Sequence, residues 1–178
     1  AASDARFMHD MMAKMLRYPV YLDSANLVDL RQLISNGVAD SDVVLVLGTQ
    51  GIFTRPWCLL EGAHAKKIGT PVRIIEITNS GFDPAAVRTY VDEIESTMGL
   101  DNPDGLEILS DYFGKDLSVL KQAIHSILDH HAAETTRKLT WNPNGGDAEL
   151  IASLKDIIEA MADVTETPIK WKGVRTQT

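Results

Sequence analysis

The chain has 178 residues, of which 44% are hydrophobic and 24% charged, a composition that suits one compact α/β domain with an appended helix rather than a disordered segment. A net charge of −8 argues against a general nucleic-acid binder, which needs clustered Lys and Arg against phosphates. The single cysteine, Cys58, excludes an internal disulfide framework and a multi-cysteine zinc site, and it fits a reducing, cytoplasmic compartment. The longest apolar stretch, Val43 to Leu47, is far too short to span a membrane. Ala1 to Asp10 lack a basic region followed by an apolar run, so no signal peptide is expected. There is no initiator Met, so residue 1 is expected to be a cut or processed end.

Ser3 and Asp4 offer a helix N-cap, and Phe7, Met8, Met11, Met12, Met15 and Leu16 then recur at helical spacing. This helix should stop before Tyr18-Pro19, because the residue before proline avoids the α region. Pro19 to Leu22 reads as a short strand ending at Asp23. Leu27, Leu30, Leu33 and Ile34 mark a second helix, closed by Asn36-Gly37. Asp42 to Leu47 is a continuous apolar, β-branched run, as expected of a parallel strand covered on both faces. Gly48-Thr-Gln-Gly51 breaks it, and a helix near Pro56 to Ile68 follows and stops at Gly69. Pro71 to Ile77 is another buried strand, and Asn79 to Gly81 a loop. Pro84 to Met98 reads as one helix, Asn102 to Gly105 as a turn, and Leu117 to Leu128 as a further helix. Trp141 to Gly146 is a loop before an amphipathic helix over Asp147 to Ala162. The tail from Thr165 to Thr178 has few apolar residues and is expected to be loosely held.

Strands alternating with helices imply a parallel sheet with right-handed crossovers. Two or three parallel strands would leave open edges, so a further strand beside Pro19 to Leu22 is expected upstream. The chain divides into residues 1–131 and an extension over 132–178. Sites in open α/β domains lie at the carboxyl ends of strands. Those ends are Asp23 to Leu27, Gly48 to Arg55, and Thr78 to Phe82.

Among individual residues, Trp57 lies four before Glu61 and so shares its helix face. Trp57 can wall a pocket or anchor the helix on the sheet. Cys58 reads as a core residue. Asp23 can accept bonds at a pocket rim or form an Asx-turn. Gly48 and Gly51 permit close backbone approach, which suits a phosphate or ribose, although they lack the spacing of either phosphate-loop motif. His125, His130 and His131 are poorly spaced for one metal on one helix face. Asp129-His130-His131 lacks the companion Asp-x-Asp segments of a phosphoesterase. A response-regulator receiver fits poorly too, since no Lys ends the strand at Ile77.

Read together, three segments carry a resemblance. They are Tyr21-Leu-Asp-Ser-Ala-Asn-Leu27, Ser41-Asp-Val-Val-Leu-Val-Leu47, and Trp57-Cys-Leu-Leu-Glu61. Their order resembles the Toll/interleukin receptor (TIR) domain family, with a strand ending in Asp before the "BB" loop, a Ser before the third strand, and a Trp-Cys-x-x-Glu helix. Ser3 to Phe7 is similar to the start of that family's first helix. The resemblance covers roughly residues 1 to 130 as order and spacing of elements. One departure is Leu27-Val28-Asp29, where many members carry a Gly in the BB loop.

The resemblance implies a flavodoxin-like α/β fold with its first strand missing, and NAD+ as a substrate rather than a bound cofactor. In members that cleave NAD+, the Glu of the WxxxE motif is catalytic, and the matching position here is Glu61. The implied substrate-binding set adds Trp57, Asp23, Gly48 and Arg6, the last near a loop where basic residues meet phosphate. The implied function is hydrolysis of NAD+ to nicotinamide and ADP-ribose, or a cyclic product, in immune or cell-death signalling. The implied partners are NAD+ and further TIR domains, with neither nucleic acid nor membrane. The competing reading is a non-catalytic scaffold that signals through TIR–TIR contacts.

Overall fold

A computed structural model describes residues 2–22, 37–133, 135–166 and 168–172. The second helix expected over Leu27 to Ile34, and the loop from Asp23, lie outside these residues. Three parallel strands form one sheet: β1 (Val44–Gly48), β2 (Val72–Ile77) and β3 (Leu139–Trp141), in that spatial order. Val44 pairs with Val72, and Ile75 with Leu139, so β3 covers only the carboxyl half of β2. Helices α1 (Ala2–Met15), α2 (Pro56–Ile68), α3 (Pro84–Asp92), α4 (Ile94–Asp101), α5 (Pro103–Phe113), α6 (Ser118–Ala132) and α7 (Asp147–Thr165) flank it. This is the α/β architecture expected, with the C-terminal helix in place.

Side chains alternate across a strand, so each strand feeds two cores. Val44, Val46, Val72 and Ile74 meet α2, α4, α5 and α6 through Leu59, Leu60, Ile94, Met98, Leu109, Ile124 and Leu128. Leu45, Leu47, Ile75, Ile77, Leu139 and Trp141 meet α1 and α7 through Met8, Met12, Leu154, Ile157 and Ile158. Helix α2 is buried on more than one side, with Leu59, Leu60, Gly62, Ala63 and Ala65 all inside. Its small residues let α6 come close: a Cβ built on Gly62 would touch the Ile127 and Ile124 methyls at 3.5 and 3.6 Å.

Several expectations need correction. Pro19 to Leu22 is not a strand. The backbone just before it is taken by the tail instead: Arg17 N donates to Lys170 O at 2.9 Å, and the Tyr18 hydroxyl to Pro168 O at 2.9 Å. Residues 168–172 are accordingly docked rather than loose. Lys172 N donates to Met15 O at 2.7 Å and its ammonium reaches Ala13 O, so the tail caps the last carbonyls of α1. The helix expected over Pro84 to Met98 breaks at Glu93, whose carbonyl also accepts the Ser96 and Thr97 hydroxyls at 2.8 and 2.9 Å. Those hydroxyls compete with the backbone ladder. Asn102 to Gly105 starts a helix: the Asn102 side chain accepts from Gly105 N at 3.0 Å and Pro103 follows at the first helical position. Leu139–Trp141 is a strand, not the start of a loop, so residues past 131 join the sheet itself.

Candidate functional site

Helix α2 is launched from the carboxyl end of β1. The strand ends at Gly48, Gly51 turns the chain with φ at +77°, and a single 3-10 turn over Ile52–Thr54 buries Phe53. Pro56 then occupies the first turn of α2, where its missing N–H costs nothing. Trp57 follows at once and is half-buried against the core on this side of the sheet. Glu61, one turn on, is half-buried and its Oε1 is withdrawn from solvent. The start of α2 is braced by α5, because Gly105 lies so near Pro56 that a Cβ there would overlap the proline ring.

The space over Gly48, at the end of β1, is filled. A Cβ on Gly48 would stand 3.1 Å from the Phe82 ring and from Ile74 Cγ2. Phe82 also meets the Phe53 ring at 6.4 Å and the His131 ring at 5.9 Å between centroids. The two strand-end loops are joined by hydrogen bonds, Ser80 Oγ to Gly48 O at 2.9 Å and Gln50 N to Ser80 O at 3.0 Å. Arg6 is not brought to Glu61. It is exposed on α1, which lies on the opposite face of the sheet, where Trp141 Nε1 donates to Asp4 at 3.4 Å. Asp23 lies outside the described residues. Cys58 is half-buried.

The cleft at the strand ends is one strand further along. It holds about 330 Å³ between the ends of β2 and β3 and the loop from Thr78 to Phe82. Glu76 and Thr140, paired across β2 and β3, contribute to its wall. The Glu76 Oε1 accepts from His131 Nε2 at 2.8 Å, while the Lys138 ammonium donates to His131 O. Burial holds the His131 pKa below its ordinary 6.5, against the pull of Glu76, with Lys138 and Arg73 lowering it further. Sequence reasoning missed this pair. The available signal was a Glu within the apolar run Ile74-Ile-Glu-Ile77.

His125 is engaged elsewhere. Arg88 Nη1 donates to His125 Nδ1 at 3.2 Å and His125 Nε2 donates to Asp92 at 2.8 Å, a network joining α3 to α6. Burial and then Arg73 lower the His130 pKa. No group of three or more His, Cys, Asp or Glu among the described residues is placed to hold a metal ion, and none of the described helices is long and apolar enough to cross a membrane. The chain matches no family model, no curated protein and no solved structure.

Proposed function

We propose that this chain is a TIR-like NAD+ hydrolase that cleaves the nicotinamide–ribose bond, releasing nicotinamide and ADP-ribose or a cyclic product. The observation that supports it is the Trp57–Glu61 pair on the first two turns of α2, the helix that follows β1 through a single 3-10 turn, with a Glu61 oxygen withdrawn from water. Breaking this bond builds positive charge on the ribose carbon. A desolvated carboxylate beside the sugar stabilises that charge and orients a ribose hydroxyl. Nicotinamide leaves with the bonding pair, and water, or a nucleophile within the same molecule, takes its place on the carbon. No strong acid is needed for such a leaving group. Trp57 walls the pocket, and Asp23 and Gly48 complete the substrate-binding set on this reading, with a second TIR-like copy contributing a loop; Arg6, carried on the opposite face of the sheet, drops out of the set. Its setting is signalling in the cytoplasm.

The Phe82 ring over Gly48 favours the competing scaffold reading, because it occupies the space a nucleotide would approach. Incubation with NAD+ and chromatography of the products separates the two, using wild type and Glu61→Gln at several protein concentrations. Glu61→Gln keeps the shape and removes the charge, so turnover should fall roughly a hundredfold or more. Equal turnover by the variant removes Glu61 from the chemistry. No turnover by wild type at any concentration leaves the scaffold.

A further inference from the structure

We propose that the cleft between the ends of β2 and β3 is a second ligand site, for a neutral polyhydroxylated molecule of monosaccharide size, with Glu76 as the residue that accepts its hydroxyls. The proposal stands apart from the reading of Glu61, since no residue of α2 is among those lining the cleft.

The first support is the position of Glu76. Along β2, Val72 and Ile74 point into the core shared with α2 and α6, and Glu76 is the next residue on that face. Its cross-strand partner is Thr140. Glu76 is half-buried and Thr140 is exposed, so this polar pair borders the core and still reaches solvent. A second polar residue has been set behind the first: His131 is only 6% exposed and donates to Glu76 Oε1 at 2.8 Å. The carboxylate is thus held in one orientation by a buried donor while its side chain is still 44% exposed. That is how a binding group is fixed by a supporting one.

The second support is the cavity. About 330 Å³ is at the small end for ligand clefts and lies outside the carboxyl ends of parallel strands, where such folds bind ligands. Besides Glu76, the wall is lined by Thr78, Asn79 and Thr140, and by Ser80, whose hydroxyl donates to Gly48 O and keeps only its acceptor capacity.

Charge selects the class of ligand. An anion would face the Glu76 carboxylate. A cation would meet the Lys138 ammonium, which donates to the carbonyl of the same His131 that holds Glu76. Neutral hydroxyl donors suit an oriented carboxylate in a cleft that threonine hydroxyls also line.

The test is titration of isotopically labelled full-length protein with D-ribose and D-glucose, followed by NMR, with methylammonium and inorganic phosphate as the charged controls. Saturable shifts are expected at Thr78 to Gly81, at Thr140 and at the His131 ring. Glu76→Gln retains an acceptor for His131 and should weaken the sugar shifts at least tenfold. Thr140→Val, which keeps the side-chain shape, should weaken them less, and Glu61→Gln should leave them as in wild type. Shifts that never saturate, equal binding by Glu76→Gln and Thr140→Val, or tighter binding of methylammonium or phosphate than of either sugar would each overturn the proposal.

Discussion

Glu61 and Glu76 are both glutamates set among apolar neighbours, and their surroundings separate them. Glu61 sits on a helix packed on more than one side, while Glu76 sits on a strand and leans on a buried histidine. His131 carries a pH consequence. Its folded pKa lies below the ordinary 6.5, chiefly through burial, so the unfolded chain takes up the proton first. Stability is therefore full above pH 6.5 and is lost as the pH falls from there toward the folded value. His64 and His130 are shifted in the same direction, each by burial first. The melting temperature should fall between pH 7.5 and pH 5, and His131→Gln should flatten that fall. An unchanged slope in the variant would mean that His131 ionises freely. Gly105 supports a second prediction at this scale. Its Cβ would overlap Pro56 and come within 2.7 Å of Asn102 Nδ2. Gly105→Ala should cost about 1–3 kcal/mol in urea denaturation, as overpacking does elsewhere. It should also displace the start of α2, read as altered Trp57 fluorescence.

At the scale of elements, α7 decides whether the sheet has two covered faces. Leu154, Ile157 and Ile158 are buried against β2, β3 and α1, with Trp141 at 1% exposure in the same core. Burying each such aliphatic side chain contributes about 1.5–3 kcal/mol. Together they rival the roughly 5–15 kcal/mol that holds a typical domain folded. Deletion from Asp147 onward should abolish cooperative thermal unfolding at every protein concentration. Loss of oligomers alone, with the monomer's melting unchanged, would instead place the helix at an interface. The segment 168–172 acts on a smaller scale. It satisfies the Ala13 and Met15 carbonyls and pairs Leu16 with Trp171 in an antiparallel bridge. Truncation before Pro168 should cost about 1–2 kcal/mol, the usual worth of a few partly exposed hydrogen bonds, and should leave the melting transition cooperative.

For the whole molecule, the net charge of −8 opposes close approach of two copies. Raising ionic strength from about 0.01 to about 0.15 M shortens the screening length from about 30 to about 8 Å. Self-association, if the proposed TIR-like assembly forms, should strengthen over that range in sedimentation velocity. Weakening would mean that attractive ion pairs hold the copies together.

Much of this architecture was legible from residue order. The β-branched run before Gly48, the buried run to Ile77, the Gly69 stop and the stripe from Leu150 to Met161 mark elements because each carries its pattern locally. Within the candidate site, the spacing of Trp57 and Glu61 was legible for the same reason, since residues four apart on a helix share a face. What failed was whatever depended on distant partners. Leu139–Trp141 is three residues long, too short for any period, and is a strand only because Ile75 to Ile77 supply its hydrogen-bond partners. Residues 168–172 belong to a stretch with few apolar residues and dock because α1 offers unsatisfied carbonyls. Sequence by itself determined which helices and strands exist where hydrophobic periodicity is strong, since that period is written within one element. Only the tertiary structure decided that Phe82 covers Gly48, that Arg6 and Glu61 lie on opposite faces, and that Glu76 meets His131, because residues 55 positions apart become neighbours only when the helix and sheet pack together.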